Sequence, residues 1–328
     1  MVDAPSRDLS AEALRARLVR YDELVPGLNA FVDTRNPGSE AKENFTIIGP
    51  GVAENPDAHV HIRERHGFNI GGARQPPGCV NSQHSHDTAE VFVVFSGRWR
   101  FTFGAHGDEG AVEAGPGTVG SVPTQMFRGF TNVGEAPGFL WVALGGDDPG
   151  RVLWAPPVFD MAERYGLKLL ADGTLVDTVA GEAVPPGAAL MPRTTAEQVA
   201  ARPTPPPERL AGCFVAPDAL PAPDGWLGGA GVSHRLLIGP GAPLGWPHGF
   251  TLARIELADG ATVRHAHGRP EVLFCLDGRA EVAIGDVTLA LGPGDTFSVP
   301  AGAPRRLSGR GTLIAVRGGD ELPDLETR

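Results

Sequence analysis

Gly78-Cys79-Val80-Asn81-Ser82-Gln83-His84-Ser85-His86-Asp87-Thr88-Ala89-Glu90 is the stretch that decides the fold, because it comes back as Gly260-Ala261-Thr262-Val263-Arg264-His265-Ala266-His267-Gly268-Arg269-Pro270-Glu271. Both copies hold His-x-His-x3-Glu, and both run on through six residues to a Gly-Arg pair, Gly97-Arg98 and Gly278-Arg279. In an extended chain alternate side chains share a face. His84, His86 and Glu90 therefore point the same way, as do His265, His267 and Glu271. Two imidazoles and one carboxylate meeting at a point form a facial triad, which leaves coordination positions open and suits a divalent metal, Fe(II) above all, with Mn, Ni and Zn as alternatives.

The repeat extends on both sides. Ile47-Ile48-Gly49-Pro50-Gly51 returns as Leu237-Ile238-Gly239-Pro240-Gly241, and His66-Gly67-Phe68 as His248-Gly249-Phe250. Downstream, Gly115-Pro116-Gly117 with Pro123 matches Gly292-Pro293-Gly294 with Pro300, and Gly145-Gly146-Asp147 matches Gly318-Gly319-Asp320. Landmarks in one order describe two copies of one module, each too long for a solenoid unit. Residues 90–95, 98–103 and 139–144 read as strands, as do 250–257, 271–276, 281–284 and 313–316, because β-branched and aromatic residues alternate with turn signals. Evenly spaced short strands predict an all-β sandwich or barrel. The expected division is an N-terminal helical arm over 1–43, a barrel over 44–148, a Pro-rich connector over 149–233 and a second barrel over 234–322. Helices are expected over 11–25, near 158–165, and after Thr194, where Thr194-x-x-Glu197 reads as a capping box. Residues 203–207 read as a stiff extended spacer.

Composition narrows the function. The 328 residues include 45 Gly and 31 Pro, which favours strands and turns over long helices. A formal net charge of -11 disfavours a nucleic-acid partner. No apolar run reaches the roughly 18 residues of a membrane span. The opening residues lack the basic-then-apolar order of a secretion signal, and the three scattered cysteines, Cys79, Cys213 and Cys275, form no disulfide framework. The expectation is a cytoplasmic protein. Cys275 shares parity with Glu271 and reads as a buried packing residue. His66 and His248 read as structural hydrogen-bonding residues, and His59 and His61 as surface residues. Both lysines, Lys42 and Lys168, fall outside the expected barrels.

These motifs resemble those of the bicupins, tandem members of the cupin superfamily. The cupin first motif, G-x5-H-x-H-x3,4-E-x6-G, is matched in full from Gly78 to Gly97; the second copy, from Gly260, is one residue shorter before His265. The second motif, G-x5-P-x-G-x2-H-x3-N, reads Gly117-x5-Pro123-x-Gln125-x2-Arg128-x3-Asn132 and Gly294-x5-Pro300-x-Gly302-x2-Arg305-x3-Gly309. The resemblance covers about residues 44–148 and 234–322 and implies two jelly-roll barrels, each with a metal held by its His-x-His-x3-Glu set.

The family's third metal-binding histidine is Arg128 in one copy and Arg305 in the other. Arginine stays protonated and offers a metal no lone pair. Three readings follow. The arginine pairs with Glu90 or Glu271 and no metal binds; or it stands by while His66, His106 or Gln125 completes the shell; or it grips an anionic substrate beside a three-ligand metal. The third reading makes Arg128 and Gln125 catalytic candidates and Arg128, Arg305, Phe92 and Phe130 substrate-binding ones. Nine aromatics crowd the first copy between 88 and 148, against Phe274 and Phe297 in the matching stretch of the second, so the first barrel is the expected home of a bulky small-molecule substrate. The expected reaction is O2-dependent cleavage of an aromatic or enolic anion, by similarity to gentisate-type ring-cleaving bicupins, in a homodimer. A metal-dependent lyase, decarboxylase or isomerase and a non-catalytic binding protein are the alternatives.

Overall fold

A computed structural model describes residues 9–27, 29–55, 57–202 and 204–326. The chain divides into two compact units. One is Val25–Ala219; the other joins Leu220–Arg328 to the N-terminal residues as far as Leu24. Both are all-β jelly rolls.

The first unit is built from two sheets. Its seven-stranded sheet includes Glu90–Ser96, flanked by Gly138–Gly145 on one side and Val119–Val122 on the other. Its five-stranded sheet places Arg128–Asn132 between Val80–Ser85 and Trp99–Phe103. Gly97 turns the chain from one sheet to the other. Its φ of 84° is left-handed, and a Cβ there would meet Gly138 Cα at 2.7 Å, so only glycine fits. Phe92, Trp99, Phe101, Phe103, Phe130, Leu140 and Leu144 fill the core between the sheets. Each such side chain contributes about 1.5–3 kcal/mol on burial. Most of the nine aromatics are therefore core packing.

The second unit reaches the same shape with fewer breaks. Strands expected as separate pieces are continuous: Phe250–His265, Glu271–Ile284 and Arg305–Gly318. Register shifts between Leu257 and Ala261 and between Cys275 and Asp277 bend them around the barrel. In the first unit Pro76-Pro77-Gly78 interrupts the matching strand pair, because proline cannot donate to the ladder. Cys275 is fully buried in the core, and burial pushes its thiol up to about 12, so it is an inert packing residue.

The expected arm and connector differ from what forms. The helix expected over 11–25 is limited to Ala11–Arg15, capped by Ser10. Leu18–Val19 then pairs as a strand with Thr296–Val299 of the second barrel, and tertiary pairing overrides the helical periodicity. Residues 1–8 lie outside the described set. The connector does not stand apart: Leu153–Trp154 extends the five-stranded sheet and Phe214–Val215 the seven-stranded one. A helix forms at Pro156–Arg164. The capping box falls one residue later than expected, on Thr195 and Gln198, ahead of Ala196–Ala200. Of the expected spacer, Pro203 lies outside the described residues and Pro207 opens the helix Pro207–Ala211. No described helix is long and apolar enough to cross a membrane.

Candidate metal centre

Both His-His-Glu sets converge. In each barrel the three donor atoms lie within 4.8 Å of one another, and all six residues are buried. The topology explains it. His84 is the penultimate residue of the strand Val80–Ser85 on one sheet, and Glu90 opens Glu90–Ser96 on the other. In the second barrel His265 ends Phe250–His265 and Glu271 opens the next strand. The second-motif arginines begin the neighbouring strands in direct register, Arg128 opposite His84 and Arg305 opposite His265.

In the first barrel the donor atoms stay open. His84 Nδ1 donates to the Ser82 carbonyl at 2.7 Å, which fixes the tautomer and leaves Nε2 its lone pair. His86 Nε2 stands 3.6 Å from Glu90 Oε1, close to the separation of two donors bound at about 2.1 Å to one ion. Arg128 spends itself on the other carboxylate oxygen, with Nε and Nη2 at 2.9 and 2.5 Å from Glu90 Oε2, while Nη1 donates to Met126 O at 3.2 Å. Burial, reinforced by the Arg128 charge, holds both imidazoles well below their ordinary pKa, so they are neutral and able to ligate. This set fits a divalent ion.

A cavity of about 80 Å³ opens on these donors, lined by His84, His86 and Glu90 with Phe92, Phe130 and Leu144. The expected substrate-binding residues Phe92 and Phe130 are thus beside the donors. Arg128 is not among the lining residues; its guanidinium is committed to Glu90, so the expected grip on a substrate anion is not what the geometry shows. Gln125 is exposed, with a left-handed φ of 62°, and only its backbone N–H reaches the site, donating to His86 O. Its expected catalytic role is not supported. His66 Nδ1 pairs with Glu64 O, and His106 is exposed; neither lines the cavity.

The second barrel arranges the same residue types differently. Arg305 Nη2 contacts His267 Nε2 and lies 2.6 Å from Glu271 Oε2. Arg317 Nε takes the other oxygen, Glu271 Oε1, at 2.6 Å. Arg317 Nη1 lies 3.4 Å from His234 Nε2, and Asp224 holds His234 Nδ1. Trp226 covers Arg317, whose guanidinium carbon is 4.4 Å from the ring centre. Burial opposes ionisation of Glu271, but Arg305 and Arg317 outweigh it and hold the carboxyl well below its usual range. The His267 lone pair and Glu271 Oε1 are therefore engaged by guanidinium, Glu271 Oε2 has Arg305 at ion-pair distance without an aligned hydrogen bond, and neither ring nitrogen of His265 has a hydrogen bond. Two buried cations already face one carboxylate, and a dication added to them would be repelled. As arranged, guanidinium competes with a divalent ion for His267 and Glu271, so the second donor set is less available than the first.

Two groups were not foreseen from the sequence. Arg317 sits where the first copy has Leu144, just before the repeated Gly-Gly-Asp; a lone charge in an apolar strand was the available signal. Lys42 is fully buried, paired with Asp33 and 3.3 Å from Asn81 Oδ1, while Asp33 Oδ2 accepts from Ser82 N. This pair pins the strand that carries His84.

Comparison with known proteins agrees with the architecture. A Cupin domain model matches residues 253–317. No curated protein matches the chain. Among solved structures, Lactobacillus farciminis oxalate decarboxylase in its formate complex matches with a TM-score of 0.57 at 13% identity, covering 94% of this chain and 88% of that one. Bacillus subtilis oxalate decarboxylase at pH 4.6 matches with a TM-score of 0.54 at 13% identity, over 93% and 76%. A further Bacillus subtilis oxalate decarboxylase, studied for its Mn(II) centres, gives 0.52 at 14% identity, over 93% and 77%. The chain has the fold of a bicupin, with the Cupin domain model on its second barrel. Identity this low speaks for the fold alone.

Proposed function

We propose that the chain is a metal-dependent lyase that decarboxylates a small carboxylic acid, working from the first barrel alone. The observation that carries this reading is the set of open donors, His84 Nε2, His86 Nε2 and Glu90 Oε1, at a small apolar cavity. About 80 Å³ is well under the roughly 300–1,000 Å³ of pockets for drug-sized ligands. That favours a substrate of few atoms over the aromatic one expected from composition. The likeness in fold to oxalate decarboxylases supports the same class.

A divalent ion held there supplies a Lewis acid toward a carboxylate oxygen. The chain's own residues prepare the rest. Ser82 holds the proton on His84 Nδ1. Arg128 fixes Glu90 through Oε2 and leaves Oε1 toward His86. Phe92, Phe130, Val142, Leu144 and Trp154 exclude water from the bound acid. Asn44 and Thr46 also line the cavity, and their side chains make no hydrogen bond within the described protein, so they are free to orient the substrate.

Three protein donors also leave room for O2 beside substrate, which keeps O2-dependent cleavage as the second reading, with iron as its metal. One experiment separates them. Protein loaded in turn with Mn(II) and Fe(II) is given oxalate, malonate and a catechol, and CO2 release and O2 uptake are followed together. The proposal expects CO2 from a small acid without matching O2 uptake, lost in His84→Ala/His86→Ala. Stoichiometric O2 uptake, or turnover that survives the double variant, overturns it.

A further inference from the structure

On the second barrel, the strand ends that carry His265 and Arg305 border a cleft of about 480 Å³. Arg264 and Arg306 are direct cross-strand partners, as are His265 and Arg305 one residue along. Side-chain alternation turns the second pair into the barrel and the first pair outward, and burial agrees: His265 and Arg305 are buried, Arg306 is half-buried and Arg264 is exposed. All four line the cleft, with Thr288 and one acid, Glu326.

Like charges directly opposite on an antiparallel pair are destabilising, with Cβ atoms about 5 Å apart. Neither Arg264 nor Arg306 has a hydrogen bond or ion pair among the described residues, and Glu326 is the one described carboxylate lining the cleft. Two unpaired arginines side by side on one cleft, in a chain of net charge -11, are a local reversal of the protein's overall field.

We infer that this cleft binds a small multivalent oxyanion, a phosphate group or a dicarboxylate, bridged by Arg264 and Arg306. Guanidinium forks match such anions in bidentate fashion. The site lies outside the first barrel's cavity and does not depend on metal there.

Titration calorimetry of the full chain with inorganic phosphate, and separately with malonate, tests it. At least one anion is expected to bind, and Arg264→Ala/Arg306→Ala is expected to weaken it at least tenfold. A control that removes two surface charges elsewhere, Arg98→Ala/Arg193→Ala, keeps the affinity. Binding of phosphate alone assigns a phosphate-bearing ligand; binding of malonate alone assigns a carboxylate. No binding of either anion at millimolar concentration overturns the inference. So does equal weakening in the two double variants, which marks a general charge effect, and so does binding left unchanged by Arg264→Ala/Arg306→Ala, which places the anion at another site such as the first barrel's cavity.

Discussion

The two barrels differ most at one position beside the glutamate. Across the strand pair, Glu90 faces Leu144 in the first barrel and Glu271 faces Arg317 in the second. Leu144 leaves a cavity over the donors; Arg317 fills the corresponding space and takes a carboxylate oxygen. The second-motif arginine then behaves differently in each. Arg128 touches one oxygen of its glutamate, whereas Arg305 reaches both the glutamate and an imidazole nitrogen. Matching motifs thus give an open donor set in one copy and an ionic plug in the other. A ligand motif shows where donors converge, and the residues around it decide whether their lone pairs are available.

The largest expected consequence is in stability. Glu271→Leu leaves two buried guanidiniums without a counter-charge, whereas Glu90→Leu leaves one. Breaking a buried pair costs about 3–5 kcal/mol. Glu271→Leu is expected near 5 and Glu90→Leu near 3 kcal/mol by urea denaturation of the metal-free protein. Equal losses, or the reverse order, break the comparison.

A second asymmetry is a titrating carboxyl in the first unit. Glu54 accepts hydrogen bonds from Val32 N and Trp154 Nε1. Burial pushes its carboxyl up from 4.5 to about 7. Between those values the folded chain holds a proton that the unfolded chain has released. Stability therefore falls as pH rises from about 4.5 to about 7, by roughly 3 kcal/mol in all. Denaturation midpoints across pH 5–8 check it. Glu54→Gln is expected to flatten the slope whatever its absolute stability, and a slope kept in that variant assigns the effect to another group.

The smallest expected effect is at Gln125. It is exposed and contributes no side chain to the cavity. Gln125→Ala is expected to change stability by less than about 0.5 kcal/mol and to leave metal content unchanged. A loss of metal would restore the residue to the site.

Much of this was legible in the sequence, for physical reasons. The spacing of His84, His86 and Glu90 sets a shared face in any extended strand, and the internal repeat gave the number of barrels. The side on which Arg128 spends its charge was not legible, because it depends on distances between strands far apart in the chain. The helix expected over 11–25 failed because Leu18–Val19 finds a strand partner at Thr296–Val299. Lys42 is remote from the first copy's motif in sequence; burial against Asp33 brings it behind the strand of His84. Arg317 lies outside both cupin motifs, although the repeat sets it against Leu144.

The central claim is that one barrel holds a metal and the other does not. Elemental analysis of protein purified without chelators or added metal tests it most directly, on the native chain and on two double variants. The account predicts about one divalent ion per chain, lost in His84→Ala/His86→Ala and kept in His265→Ala/His267→Ala. Two ions per chain, or one that disappears only with the second pair of histidines, would contradict it.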